Sequence, residues 1–364
     1  MKIAIRVDAS SEIGSGHFMR CLTLSSKLMS NGAEILFISR DLPEPMIGML
    51  NSFGVSYSPL GPGDNLSGGD LQHSRWLKTS QSNDAKQTLK ALSTTSWDWI
   101  IADHYALDFR WEALVRSAVK KVMVIDDLAD RPHQCNLLLD QNLGRNVEDY
   151  HGLVSGETEK LIGPKYSLLR PSFAQVRTES LLRRVNPKFK RLLISMGGAD
   201  KDNATSYVLD VLKASNLPAG LHITVVMGGQ APWLQQVRMK AMQMQCPTDV
   251  LVDVNDMAQL MALSDFAIGA AGGTSWERCC LGLPSIVLVV AENQQGVAAA
   301  LKKNGGALVV NNIEEIKLAI ERLLRPDTLI PFLRDISLAA QQVTDGQGAE
   351  RVVRKMLSVP GYYD

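Results

Sequence analysis

The chain repeats one pattern along most of its length: a short apolar run, a polar or glycine-bearing loop, then apolar residues at helical spacing. Residues 2–7 read as a buried strand and 21–28 as the helix after it. Further strands are predicted at 33–39, 55–60, 97–102, 121–125 and 137–142, the last closing the first half, with helices over 46–53, 84–93 and 111–119. Strands alternating with helices imply parallel βαβ units with right-handed crossovers. After a transition at 163–166 and a basic connector at 177–190, the pattern restarts at 191–195. It continues through strands at 221–227, 250–253, 267–270 and 285–290, and helices at 203–214, 257–262 and 294–304. A chain of 364 residues is long for one core. The predicted fold class is therefore α/β, with two Rossmann-type parallel-sheet domains at 1–165 and 166–364 and the ligand expected in a cleft between them.

In an open parallel sheet, ligands gather where loops leave the carboxyl ends of the strands. The first strand runs into Asp8 and then Gly14-Ser15-Gly16-His17. Gly14 and Gly16 permit backbone geometries closed to other residues and let a substrate come close. This loop has two readings: a tight turn whose histidine caps a helix, or a catalytic loop with His17 as base. It lacks the third glycine of a dinucleotide fingerprint and the Gly-Lys-Ser/Thr of a Walker loop. Two more strands end in polar clusters, Asp103-His104-Tyr105 and Asp126-Asp127. For Asp127, helix capping is the expectation. Together with Asp8 the clusters describe a polar surface suited to His17 and a hydroxyl-rich or amide-rich ligand.

In the second half, residues 269–277 read as a strand end, a glycine turn and a helix start. Gly273, Thr274 and Ser275 would present amides and hydroxyls to a phosphate. Glu277, one turn in, suits ribose hydroxyls, or else completes a capping box with Thr274. Gly197 and Gly198 form a second amide-rich loop, fit to cradle a diphosphate or bound a sugar pocket. Asp200-Lys201-Asp202 reads as helix capping, and no metal is expected there. Arg170 at the domain junction either pairs with phosphate or makes a hinge salt bridge.

Composition narrows the class of ligand. Lys+Arg and Asp+Glu both total 38, so the basic surface of a nucleic-acid binder is not expected, and an anion must be held locally. The five cysteines show no metal-ligand spacing and fit buried, reduced thiols. No signal peptide and no membrane span are expected, so the chain reads as a cytoplasmic protein, and as a monomer with no cofactor.

Taken together, the Gly14-Ser15-Gly16-His17 loop, Asp103-His104-Tyr105, Met196-Gly197-Gly198 and the glycine loop before Glu277 resemble one family. It is that of the UDP-sugar hydrolases of pseudaminic acid biosynthesis, which act on UDP-2,4-diacetamido-2,4,6-trideoxy-β-L-altropyranose. That family is similar to the lipid II-forming N-acetylglucosaminyltransferases and has the GT-B fold. The stretch from Asp8 through His17 to Arg20 is the most specific part of the likeness. The 60–81 loop and the tail beyond Pro326 match least well. The resemblance implies His17 as catalytic base, Glu277 as nucleotide ligand and Arg170 at a substrate-contacting position. Water would displace UDP from the anomeric carbon with inversion. Asp8, Tyr105 and Asn142 would orient His17 or grip acetamido groups. A UDP-sugar-dependent glycosyltransferase is the alternative reading, and a non-catalytic UDP-sugar-binding module the third.

Overall fold

The computed structural model describes residues 1–10, 12–64, 69–93 and 95–359, and every count below refers to those residues. The chain divides into two compact units: Met1–Leu168 joined by the chain from Gly348 onward, and Leu169–Gln347.

Unit 1 contains β1 (Lys2–Val7), α1 (Gly16–Met29), β2 (Glu34–Ser39), α2 (Glu44–Ser52), β3 (Ser56–Pro59), α3 (Gln81–Leu92), β4 (Trp97–Asp103), α4 (Phe109–Val115), β5 (Val119–Ile125), β6 (Leu137–Asp140) and β7 (Glu159–Ile162). The strands form one parallel seven-stranded sheet in the order β3-β2-β1-β4-β5-β6-β7. Both sheet faces are covered. Ile3, Ile5 and Val7 of β1 pack with Phe18, Cys21 and Leu22 of α1. Ala4 joins Ile100, Trp111 and Val124 on the opposite face. Burial on both faces is why the strands read as continuous apolar runs. Arg6 interrupts the apolar run of β1: it is fully buried, with its guanidinium clamped between Asp8 and Asp84.

Unit 2 contains α5 (Pro171–Arg184), β8 (Arg191–Ser195), α6 (Ala204–Lys213), β9 (His222–Met227), α7 (Leu234–Met242), β10 (Thr248–Val252), α8 (Met257–Leu263), β11 (Phe266–Ala270), α9 (Thr274–Cys280), β12 (Ser285–Leu288), α10 (Gln295–Asn304), β13 (Leu308–Val310), α11 (Ile313–Leu323) and α12 (Pro326–Ala340). Its parallel sheet repeats the same plan, in the order β10-β9-β8-β11-β12-β13. In each unit the connections diverge at one place, between β1 and β4 and between β8 and β11. Such switch points open a crevice at the carboxyl ends of the two strands. Val7 lies beside Asp103 there in unit 1, and Gly269 beside Ser195 in unit 2.

Several elements differ from the sequence expectation. Residues 137–142 do not close the first half: β7 follows as an edge strand. Only Leu161 of its four residues is buried, so Glu159 and Lys160 hide the apolar pattern. The last helix, α13 (Gly348–Ser358), joins unit 1, although the sequence reading places it with the second half. Its Ala349, Val352, Val353 and Met356 enter the same core as α1, and Glu350 pairs with Lys27. Gly348 permits the close approach, since a Cβ there would stand 2.2 Å from the Ser167 carbonyl oxygen. All five cysteines are free thiols. No helix among the described residues is long and apolar enough to cross a membrane.

Candidate active site

After β1 the chain makes a tight turn. The Ser10 hydroxyl accepts the amides of Glu12 and Ile13, and the Gly14 amide bonds the Ser10 carbonyl. Gly14 sits at φ +80°, a region closed to most side chains. α1 then begins at Gly16, so His17 lies in its first turn, beside the end of β4.

His17 Nδ1 is 2.6 Å from Asp103 Oδ1. Arg20, one turn along α1, grips the same carboxylate with Nε at 2.7 Å from Oδ2 and Nη2 at 2.6 Å from Oδ1. Burial alone would push the Asp103 carboxyl up, but Arg20 and His17 outweigh it and hold it well below the usual carboxylate range. An ionised Asp103 only accepts, so its 2.6 Å contact puts the proton of the neutral ring on Nδ1, and this short contact outweighs the 3.2 Å approach of Arg20 Nη2 to the same nitrogen. The Nε2 lone pair is left for chemistry. The His17 side chain is 10% exposed.

A second carboxylate braces this dyad. Asp127 Oδ2 accepts from Arg20 Nη1 and from the Tyr105 hydroxyl, both at 2.7 Å. Asn142 Nδ2 reaches Asp127 Oδ1 at 3.2 Å. Asp127 therefore caps no helix, contrary to expectation; the local turn is instead closed by Asp126, which accepts the amides of Leu128 and Ala129. Tyr105 packs its ring edge-on against His17, with centroids 4.6 Å apart. Burial and then the Asp127 charge push the Tyr105 phenol up, so it stays a donor.

Asp8 is turned into the core. Arg6 binds both its oxygens, at 2.6 and 2.9 Å, and the amide of Arg40 donates to Oδ1 at 2.7 Å. Its carboxylate is enclosed. His104 accepts the Ala106 amide at Nδ1, which puts its proton on Nε2, and that nitrogen lies 3.3 Å from Asp8 Oδ2.

Beneath Asp127, the Tyr150 hydroxyl lies 2.9 Å from Asp126 Oδ2 and 2.9 Å from Asp140 Oδ2. A phenol has one proton to give. Two such contacts therefore need a second proton, on one of the carboxyls. Burial and the neighbouring Asp127 charge push Asp140 up to about 7, although Arg145 Nε stands 3.0 Å from it. Asp126 is the ionised partner: against the pull of burial, Arg131 and His133 hold it at about 2.

In unit 2, Gly197 takes φ +95° after β8, and positions 197 and 198 are open to solvent. Asp200 caps α6, accepting the amides of Ala204 and Thr205 at 2.9 and 3.0 Å. After β11, the Ser275 and Trp276 amides are taken by the carbonyls of Gly272 and Gly273, and so are not free for a phosphate. Ser275 is buried, with its hydroxyl on Arg278 Nη2 at 3.0 Å. Thr274 Oγ1 accepts from Arg278 Nη1 at 3.2 Å, and Gly273 is exposed. No side-chain bond caps α9, so the Thr274–Glu277 capping box is not formed. Glu277 instead faces Arg170, Oε1 to Nη2 3.6 Å, while Arg170 Nη1 donates to the Asn255 carbonyl. Burial raises the Glu277 carboxyl against the pull of Arg170 and Arg278.

Three residues of this geometry were not singled out as site residues from the sequence: Asp103, Arg20 and Asp127. Asp103 was visible as a polar strand end. The i, i+3 spacing of His17 and Arg20 would have placed both on one face of α1. Among the described residues, no group of three or more His, Cys, Asp or Glu side chains is arranged to hold a metal ion.

Residues 192–332 match the glycosyltransferase family 28 C-terminal domain. The chain is 24% identical, over 84% of its length and 97% of the relative, to UDP-2,4-diacetamido-2,4,6-trideoxy-beta-L-altropyranose hydrolase of Campylobacter jejuni. It is 27% identical to an uncharacterized protein of Methanocaldococcus jannaschii over 81% of its own length, and spans 57% of that longer relative. Among solved structures, Acinetobacter baumannii MurG superposes with a TM-score of 0.67 at 14% identity, covering 98% of this chain and 99% of that one. The two parallel-sheet units thus have the GT-B fold, and the resemblance drawn from the motifs is present along most of the chain.

Proposed function

We propose that the chain is a UDP-sugar hydrolase that releases UDP from UDP-2,4-diacetamido-2,4,6-trideoxy-β-L-altropyranose or a close relative of it. The observation that carries this reading is the His17–Asp103 dyad, which leaves Nε2 as an acceptor of a proton from water. The likeness to the Campylobacter jejuni hydrolase over nearly its whole length supports the substrate class.

In this mechanism, His17 Nε2 takes a proton as water attacks the anomeric carbon. The imidazolium that forms faces the Asp103 carboxylate, whose charge Arg20 secures but does not cancel. Attack opposite the departing UDP inverts the anomeric centre. UDP leaves as a stable anion, so no strong general acid is needed. Unit 2 supplies the nucleotide ligands. Glu277 accepts the ribose hydroxyls, Arg170 is released toward phosphate, and the exposed Gly197, Gly198 and Gly273 supply backbone amides. Tyr105 and Asn142, which converge on Asp127, hold the dyad in place.

The second reading, a glycosyltransferase that uses the same nucleotide site and an alcohol in place of water, is favoured by the family 28 domain match. Incubation with UDP-sugar alone separates the two. A hydrolase releases UDP without an acceptor, whereas a transferase needs one.

A further inference from the structure

The segment between β3 and α3 is the part of unit 1 that the motifs do not explain, and it carries an aromatic cluster that ends on the catalytic imidazole. A short helical turn, Ser74–Leu77, holds His73 and Trp76 against Tyr105. The Trp76 and Tyr105 rings are stacked, 23° between planes and 5.6 Å between centroids. His73 leans on both, 4.4 Å from Trp76 and 5.3 Å from Tyr105. Tyr105 in turn meets His17.

The cluster is firmly mounted. Leu77 is fully buried in the core beside Trp111, Arg110 pairs with Asp70 at 2.7 Å, and the Ser80 hydroxyl caps α3 on the Asn83 amide. Gly63 lets the chain cross Lys78 where a Cβ would stand 2.0 Å from its carbonyl. Tyr105 is covered, whereas His73 and Trp76 are only half-buried. Burial lowers the affinity of His73 for a proton, so at neutral pH it offers an uncharged ring. The result is a braced, uncharged aromatic surface two ring contacts from a general base.

We propose that His73 and Trp76 form a hexose-stacking subsite, which grips the apolar face and the methyl groups of a deoxygenated, acetamido-substituted sugar beside His17. A 6-deoxy hexose with two acetamido groups carries three methyls. Aromatic faces gain from covering such carbon–hydrogen surface, while their polar edges still find hydrogen bonds. A sugar with a 6-hydroxyl puts a polar group against the same ring and gains less. This inference rests on the hydrolase reading and adds to it the determinant of sugar choice.

The test compares wild type, Trp76→Ala, Trp76→Phe and His73→Ala with two probes, the diacetamido-trideoxy-altrose nucleotide and UDP-N-acetylglucosamine, and with UDP alone. Turnover is measured in these backgrounds, and binding by calorimetry in the same variants combined with His17→Ala. Trp76→Ala is expected to lose roughly ten- to hundred-fold in affinity and kcat/KM for the diacetamido sugar nucleotide. UDP affinity should stay unchanged, preference over UDP-N-acetylglucosamine should narrow, and Trp76→Phe should recover most of the loss. Unchanged sugar-nucleotide affinity in a Trp76→Ala protein that binds UDP normally overturns the subsite. So does a loss of UDP affinity that matches the loss for the sugar nucleotide. If wild type binds the sugar nucleotide through Trp76 but never hydrolyses it, the hydrolase reading fails while the subsite stands.

Discussion

His17 is held by one ring nitrogen and free at the other, and most of the chemistry proposed here follows from that asymmetry. His17→Ala is expected to lower kcat about 10²- to 10⁴-fold while UDP still binds with wild-type affinity in calorimetry. Asp103→Asn is the sharper probe, because an amide can donate to Nδ1 and so turn the proton to Nε2. Its kcat should fall at least 10²-fold with little change in KM, and Asp103→Glu should recover part of it. Near-wild-type turnover in either variant removes the dyad from the mechanism. Glu277→Ala makes the complementary case in unit 2. Losing hydrogen bonds from a charged acceptor should weaken UDP binding about 10- to 100-fold, with kcat at saturation much less affected.

At the scale of elements, the switch points explain why residues of separate motifs come together. β1 and β4 are neighbours, so the chain after β1 and the chain after β4 meet, and His17 finds Asp103 across 86 residues of sequence. That much was legible: apolar runs gave the strands, and the polar residues at their ends gave the edge. What each polar residue does there was not legible. Asp8 and Asp103 both end strands, yet Asp8 is enclosed by Arg6 and the Arg40 amide while Asp103 holds the imidazole. Asp126 and Asp127 are adjacent, yet one closes a turn and the other braces Arg20. Such assignments depend on partners far away in the chain. The α13 helix shows the same limit, since its amphipathic pattern names a buried face but not which core receives it. Met356→Ala should destabilise unit 1 by about 2–5 kcal/mol. Urea unfolding followed by hydrogen exchange should show protection lost in β1 and α1, with unit 2 strands such as β8 unaffected. Loss confined to unit 2 would contradict the packing.

For the whole molecule, the buried charges make stability depend on pH in opposite directions. Asp103 and Asp8 are held well below their ordinary range, so their contribution is present above about pH 4 and is lost only in stronger acid. Asp140 has the opposite sign. Its folded value of about 7 lies above the unfolded value, so the folded state retains a proton that the unfolded chain releases. Its contribution is complete below about pH 4 and is lost as pH rises through 7. Asp140→Asn keeps the neutral form at every pH. Thermal unfolding between pH 5 and 8 should therefore show a decline in Tm for the native chain and a flatter profile for the variant. The same decline in both would place the titrating group elsewhere.

The central claim is that water, not an alcohol, receives the sugar, and that His17 activates it. The most direct measurement is NMR of the sugar released from UDP-2,4-diacetamido-2,4,6-trideoxy-β-L-altropyranose in ¹⁸O-labelled water, with no acceptor present. The account predicts stoichiometric UDP and a free sugar that appears first as the inverted anomer, with the label on its anomeric oxygen, and formation of that product slowed at least about 10²-fold in His17→Ala. Release of UDP only after an alcohol is added, or label found in UDP and not in the sugar, would contradict it.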